Sequence, residues 1–524
     1  MDKTEGSRLL SRNIMGGLTR IDWLIVAVYA SSTVALGYYF SRRQRDTQEY
    51  FTGSGNMNPF LVGVSLFATL LSTISYLSMP GEVLGKGPMH MTSLLALPIV
   101  FAIVGYGLLP LYMRYRVTSA YELLEKNLGI GVRMLGVTMF LALRLVWMSL
   151  LVYKTAEALI VMIGVDEKWI PAVVLATGLV AVTYASLGGL RAVVVTDLIQ
   201  TILLFGGAVL VVVMVTVDFG GFGWFPTKWD TNWDPQPIFS FDPSVRATMI
   251  GAILSALTWQ VCTAGGDQVS IQRFMSTRDA GAARKSFATQ MCVSLVVSAT
   301  LFLVGLSLLA YFKAHPEMLG GLNMKTDADK LFPRFIATRL PPGVSGLVVS
   351  AMFAAAMSSI DSGVNSITAV VSTDLLGRFG RSPKSEKDHL VMARFLAFGI
   401  GASVVVGSAF IGLIEGNITE VTNKTVNLMV PMIFCLFFFA LFVPFANPRG
   451  VWIGWACGFT TAVLIGFSGE LFGWIDLDLK TQRAPVSFQW MGPSALAVNM
   501  VVGTLACWLL RDRTIKAPRS HEPS

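Results

Sequence analysis

Apolar runs of close to 20 residues recur along the whole chain, separated by short polar stretches. Thirteen are long enough to cross a bilayer as helices: about 21–41, 59–80, 91–113, 131–163, 169–187, 192–217, 246–275, 286–312, 343–374, 390–413, 422–446, 450–470 and 492–510. Polar positions inside these runs are few and clustered. The densest cluster lies in "MFAAAMSSIDSGVNSITAVVSTDL" (Met352–Leu375), which brings Ser358, Ser359, Asp361, Ser362, Asn365 and Ser366 within nine residues. At 100° per residue, Ser358, Asp361, Ser362 and Asn365 share one face. Ser359 and Ser366 flank it, so the polar arc spans roughly 160°.

Two runs are interrupted. One reads "FATLLSTISYLSMPGEVLGKG" (Phe67–Gly87), with hydroxyls in mid-span and Pro80-Gly81 towards its outer end. The other reads "LTWQVCTAGGDQVSIQRF" (Leu257–Phe274), with Gly265-Gly266 breaking the run before Asp267. They stand five helices apart, and paired discontinuous helices in two halves are the pattern of an inverted-repeat transporter. Gly and Pro are also common in ordinary membrane helices, so spacing alone leaves both readings open. Between spans, "SAYE" (Ser119–Glu122) has capping-box spacing and predicts a short helix at the cytoplasmic surface. Ala314–Gly343 predicts a short amphipathic helix, and the Trp-, Pro- and Gly-rich Gly220–Phe239 predicts a rim on the outer face.

Composition agrees with the pattern. Of 524 residues 53% are hydrophobic and 14% charged, against roughly a quarter charged in soluble domains. The net charge of +8 does not point to nucleic acid, because the basic residues sit in short loops between spans. Alternate loops carry them: Ser41–Arg45, Arg114–Arg116, Arg191, Arg273–Lys285, Gly377–Lys387, Arg449 and Arg511–Arg519. The positive-inside rule puts these in the cytoplasm, with the N-terminus outside and the C-terminus inside. Lys3, Arg8, Arg12 and Arg20 pull the other way. The run Ile21–Phe40 is too long for a signal core and reads as a retained helix. Cys262, Cys292, Cys435, Cys457 and Cys507 fall in apolar runs without metal or disulfide spacing and read as small buried hydrophobes. His90, His315, His389 and His521 read as loop or tail residues, which leaves no histidine metal site within the spans. No nucleophile–base pair or metal cluster appears in the spans, so an integral-membrane enzyme is the weakest reading.

A charge at mid-bilayer costs about 2.5–3.5 kcal/mol, so each one asks for a reason. Asp361 lies well inside span nine and Asp197 opens span six. Arg144 lies within span four, with Lys154 and Glu157 nearer its outer end. Adjacent serine hydroxyls beside a carboxylate suit a hard cation, which takes oxygen ligands only. Serines also bond back to their own helix or ease helix packing. Arg144 would meet an anionic solute, neutralise Glu157 or an aspartate, or snorkel to an interface.

With these residues on the page, the chain resembles the sodium:solute symporter family, the group of sodium–glucose, sodium–proline, sodium–monocarboxylate and sialic acid transporters. The likeness covers about residues 20–510. It is carried by "TSAYELLEKNLG" (Thr118–Gly129), "YASLGGLRAVVVTDLIQ" (Tyr184–Gln200), "GDQVSIQRFMSTRD" (Gly266–Asp279) and "AAAMSSIDSGVNS". The resemblance implies an all-α integral membrane protein of about thirteen transmembrane helices, one transporter domain over 1–524. It implies a LeuT-type five-plus-five inverted repeat, 59–217 and 246–446, with an extra N-terminal helix at 21–41 and two C-terminal helices at 450–510.

The resemblance also implies sites. A sodium ion would be held by carbonyls of Ala68, Leu71 and Ala355 and hydroxyls of Ser358 and Ser359. Some members bind a second sodium through the next turn and the aspartate matching Asp197. Those members carry hydroxyls where this chain has Asp361-Ser362, which leaves Asp361 to strengthen a cation site, to titrate, or to hold an internal charge pair. Solute candidates by position are Ser72, Ser75, Tyr76, Arg144, Trp147, Trp259, Gln260, Thr263 and Asn427. The expectation is a cell-membrane (plasma or inner) symporter, not an enzyme, with Na⁺, a small-molecule solute and the lipid bilayer as partners and no nucleic acid. A small carboxylate is the first substrate reading and a sugar or other polar nutrient the second. A proton-coupled symporter using Asp361 or Asp197, and a channel or sensor without accumulation, are the rivals.

Overall fold

The structure is a computed structural model that describes residues 18–42, 50–51, 55–115, 119–235, 237–378, 380, 385–411, 418–471 and 486–511. Many of the basic residues used for orientation (43–45, 116, 381–384, 512–519, with Lys3, Arg8 and Arg12) and Thr118 lie outside them. In chain order the helices are α1 (Arg20–Ser41), the pair α2 (Pro59–Leu70) and α3 (Thr73–Gly85), α4 (Pro88–Tyr112), α5 (Glu122–Leu128), α6 (Ile130–Ile163), α7 (Glu167–Leu187) and α8 (Gly189–Asp218). They continue with α9 (Met249–Gly266), α10 (Gln268–Met275), α11 (Ala280–Ala314), α12 (Ala328–Arg339), α13 (Val344–Gly377), α14 (Glu386–Ile411), α15 (Ile418–Phe442), α16 (Pro448–Gly466) and α17 (Phe488–Leu509). There is no strand among the described residues.

Among the described residues, eleven single helices are long and apolar enough to cross a bilayer, and α2–α3 together make a twelfth. The expected thirteenth span corresponds to α16. It is 19 residues long but less apolar than the rest, carrying Arg449, Trp452, Trp455 and four glycines. Its glycine face serves packing: a Cβ on Gly454 would lie 2.6 Å from the Gly503 Cα, so α16 and α17 meet backbone to backbone.

Both expected breaks occur, but at other residues than the Gly and Pro that signalled them. The α2–α3 pair bends by 64° at Leu71-Ser72, while Pro80 and Gly81 lie inside α3. The Ser72 hydroxyl accepts from the Ser75 amide and starts α3, so a capping side chain sets the break. In the second pair Gly265 and Gly266 stay helical, and Asp267 is the extended residue that caps α10 by accepting from the Val269 amide at 3.1 Å. The glycines serve close approach, since a Cβ on Gly266 would meet the Phe434 backbone of α15 at 2.8 Å.

The α13 helix runs through the centre, packed on α8, α1, α6 and α14. Its N-terminus is fastened to α1 by Asp22. That carboxylate accepts from the Thr19 amide and hydroxyl and from the amides of Gly343 and Gly346, the last two at 2.8 Å. At the other end Arg133 of α6 joins Glu125 of α5 to Asp374 of α13. The Arg133 hydrogen bond holds the Glu125 carboxyl below its ordinary range. The predicted capping box is partial: Glu122 reaches back to the Ser119 amide, but the Ser119 hydroxyl accepts from Tyr121 and the helix begins at Glu122. The amphipathic helix expected within Ala314–Gly343 is α12. Cys262, Cys435 and Cys507 are buried as expected; Cys457 is half-buried and Cys292 exposed.

Candidate functional site

The α2 helix ends where the Leu71 amide bonds to the Phe67 carbonyl. Among the described residues, no amide of a following turn returns to the carbonyls of Ala68, Thr69 or Leu71. The α13 face carrying Ser358 and Ser359 lies against this end: the Ser359 hydroxyl donates to the Thr69 carbonyl at 3.2 Å. Thr73, just past the break, donates to the Met352 carbonyl at 2.9 Å. Ala68, Leu71, Ala355, Ser358 and Ser359 are all buried. The unwound end of α2, whose last carbonyls no following amide claims among the described residues, therefore meets the Ser359 hydroxyl of a continuous helix, and oxygens of this kind suit a hard cation.

One turn along, a second polar cluster joins α2, α8, α10 and α13. Asp197 of α8 accepts from the hydroxyls of Ser65 and Ser358. Ser362 shares a hydrogen bond with Thr69 at 2.9 Å and donates to Asp361 at 3.2 Å. Arg273 of α10 enters this cluster, donating to Ser65 at 3.0 Å and to Ser362, with a guanidinium nitrogen 3.9 Å from Asp197. Arg273 was missed in the sequence reading, because a basic residue four positions from a loop looks like part of the cytoplasmic cluster. In the fold it is buried.

A cavity of about 170 Å³ lies beside the breaks, lined among others by Ser75, Arg144, Trp147, Trp259 and Thr263. An adjoining space of about 140 Å³ adds Gln260 and shares Ser75, Met79, His90, Trp259 and Asn423 with the first. Six of the nine solute candidates therefore line it. The other three do not: Ser72 is the cap of α3, Tyr76 packs on Phe332, and Asn427 lies against Gly492. Arg144 pairs with Asp267, the residue that breaks the second helix. Arg144 Nε and the Thr263 hydroxyl have no hydrogen-bond partner among the described residues, nor do the hydroxyls of Thr419 and Thr422 on the same wall.

Five polar lining residues that matter here escaped the sequence reading. Thr419, Thr422 and Asn423 share the inner face of the first turns of α15, and an i, i+3, i+4 polar stripe was the available signal. His90 was read as a loop residue; it stands in the first turn of α4 and faces the cavity. Glu82 also lines it and is held by both guanidinium nitrogens of Arg246.

On another side of α3, α12 packs against it. Its Asp329 accepts from the Ile418 amide at 3.3 Å and lies against Gly81. Burial pushes this carboxyl up to about 7; the Ile418 amide and Lys154 act against that, and Glu82 and Glu157 add to it.

Comparisons with known proteins converge. The family model described as sodium:solute symporter family matches residues 50–458. A sodium/sialic acid symporter of Proteus mirabilis is 29% identical over 460 residues, covering 83% of this chain and 87% of that protein. The sodium-dependent multivitamin transporter of Oryctolagus cuniculus is 28% identical over 456 residues, 85% of this chain and 70% of that protein. The sodium-coupled monocarboxylate transporter 1 of Xenopus laevis is 27% identical over 466 residues, 87% and 74% respectively. Among solved structures, a Na⁺-coupled sialic acid symporter in a substrate-bound outward-open state superposes with a TM-score of 0.78 at 24% identity. It covers 94% of this chain and 98% of its own.

Proposed function

The chain belongs to the sodium:solute symporter family, and from that premise we propose that it carries a small organic carboxylate into the cytoplasm by alternating access. It is a multi-pass membrane protein of the LeuT-type fold, and its relatives are sodium-coupled transporters, not enzymes. The observation that carries the substrate reading is Arg144: buried, on the cavity wall, held by Asp267, and with Nε free of any partner among the described residues. A fixed guanidinium with an open edge suits a carboxylate. Relatives named for sialic acid and for monocarboxylates support it. The hydroxyls and amides of Ser75, Thr419, Thr422 and Asn423 favour a solute with hydroxyl or amide groups beyond its acid, and a neutral polar nutrient is the second reading.

In this reading sodium binds first at Ala68, Leu71, Ala355, Ser358 and Ser359 and ties α2 to α13. A second cation takes Asp197, Asp361 and Ser362. The two halves are 59–217 and 246–446, each headed by a broken helix, with the N-terminus outside and the C-terminus in the cytoplasm. Energetics give the second cation a purpose. A monoanion moving with one sodium carries no net charge, so a tenfold sodium gradient supports only about tenfold accumulation. With two sodiums one net charge also crosses. A 100 mV potential then adds about 2.3 kcal/mol to about 2.8, or several thousand-fold.

The test is a thermal-shift screen of the purified protein against carboxylates, sugars and polar nutrients in NaCl, KCl and choline chloride. Stabilisation by an acid in sodium alone, followed by sodium-driven uptake into proteoliposomes, supports the proposal. A response to neutral solutes only would move the substrate reading to a sugar or polar nutrient. Uptake indifferent to sodium but driven by a pH gradient would overturn the coupling ion.

A further inference from the structure

We propose that the middle of α11 carries a solute subsite, in which Gln290, Ser294 and Ser298 receive the hydroxyl- or amide-bearing end of a solute whose carboxylate rests on Arg144. This rests on the reading of Arg144 as the partner of the acid. At i, i+4 and i+8 the three side chains fall within about 80° of one helix face. All three line the space of about 140 Å³ that adjoins the solute cavity.

Their hydrogen bonding sets them apart from their neighbours. Other hydroxyls of α11 return to its own backbone: Ser286 donates to the Ala282 carbonyl, Thr289 to Lys285, Thr300 to Val296 and Ser307 to Val304, at 2.9–3.1 Å. That is the ordinary way a membrane helix satisfies a hydroxyl. The hydroxyls of Ser294 and Ser298 bond to no other described residue, and neither does the Gln290 amide. Yet Gln290 and Ser298 are only 2% and 4% exposed. Ser255 and Gln260 of α9, on the same compartment, likewise bond to no other described residue. Open donors and acceptors at this depth are costly unless a solute or water takes them.

Helix packing explains why the space lies here. The α11 helix touches α2 where Gly63 lies against the Ser286 carbonyl. It touches α3 where a Cβ on Gly305 would come within 2.7 Å of the Pro80 carbonyl. Between these contacts it passes the 64° bend of α2–α3, and Leu70, Leu71 and Ser75 form the facing wall. The break that leaves the last α2 carbonyls unclaimed thus also opens this compartment.

The two compartments divide the solute between them. Arg144 and Asp267 line only the first, while Gln260, Gln290, Ser294 and Ser298 line only the second. Ser75, His90, Trp259 and Asn423 line both and form the neck. A short acid such as pyruvate has nothing to place beyond that neck. A polyhydroxy acid, or an acid carrying an amide, reaches the open groups of α11 with its far end. Water alone would fill the compartment without any preference among acids.

The experiment is a thermal-shift titration of the full-length purified protein in NaCl with gluconate, glucuronate, N-acetylglycine, pyruvate and the neutral polyol sorbitol. The wild type is expected to bind at least one of the three longer acids about tenfold or more tightly than pyruvate. Gln290→Leu, and Ser294→Ala combined with Ser298→Ala, should each cut that ratio to about threefold or less. Arg144→Gln should weaken the longer acid and pyruvate alike. A ratio taken within one variant cancels a general loss of stability, and the serine double variant carries the test if Gln290→Leu folds poorly. A wild-type ratio near one, no response to any hydroxyl- or amide-bearing probe, or a ratio that the α11 variants leave as it was would overturn the proposal. A response to sorbitol alone that the α11 variants weaken would instead remove the carboxylate reading beneath it and uphold the α11 subsite.

Discussion

Arg144 and Asp267 pair across the wall of the solute cavity, one from an unbroken helix and the other from the residue that interrupts its neighbour. Asp267 also caps α10, so one carboxylate sets both the helix break and the aim of the arginine. Asp267→Asn keeps the cap oxygen but leaves Arg144 buried and unpaired. A loss of about 3 kcal/mol in unfolding free energy is expected, measured by denaturation in detergent. Arg144→Gln should abolish acid-dependent stabilisation while leaving the shift caused by sodium alone intact.

The Ser359 hydroxyl donates to the Thr69 carbonyl at the unwound end of α2. Ser359→Ala should raise the sodium concentration for half-maximal transport by about tenfold, the worth of one lost oxygen contact. Solute affinity at saturating sodium should stay within about twofold. Equal losses in both would show a packing role for the serine.

Asp329 predicts a pH dependence where α12 packs on α3. Its folded-state carboxyl stands at about 7, above the ordinary 3.8, so the folded protein keeps a proton that the unfolded chain gives up. This contribution to stability is full below the unfolded value and is lost as pH rises through about 7. The melting temperature of the wild type relative to Asp329→Asn should fall between pH 5 and pH 8, by an amount equivalent to about 2 kcal/mol. A difference that stays flat over that range would rule the carboxyl out as the titrating group.

Gly266→Ala places a methyl group 2.8–2.9 Å from the backbone of Phe434, which no side-chain rotation relieves. The broken helix and α15 would be forced apart at the solute site. Transport should fall below about a tenth of wild type with surface expression corrected for, and Gly281→Ala, in an exposed loop-side turn, serves as the tolerated control.

The features legible in the sequence were those that contrast with their immediate surroundings. Asp361 and the serines around it stand out in an apolar run, and their shared face follows from helical geometry alone. The two breaks were legible as events but not as positions, because Gly and Pro lower the cost of irregular backbone while Ser72 and Asp267 supply the caps that fix it. Arg273 and Glu82 were not legible. Each owes its role to partners far away in sequence, Asp197 and Ser362 for one, Arg246 for the other. Ser72, Tyr76 and Asn427 fell away from the cavity because helical periodicity gives neighbours on a face, not which turn of that face meets the opening.

Asp22 gives the N-terminal helix a mechanical part to play. Its carboxylate grips the amides of Gly343 and Gly346 at the start of α13, the helix that bears Ser358, Ser359 and Asp361 several turns further on. Any slide or tilt of that helix along the transport cycle must either drag α1 with it or break both bonds from Gly343 and Gly346. The helix outside the expected repeats thus behaves as a lever arm bolted to the ion-bearing rod, and a fluorescent label on α1 would report its strokes from a site remote from every ligand.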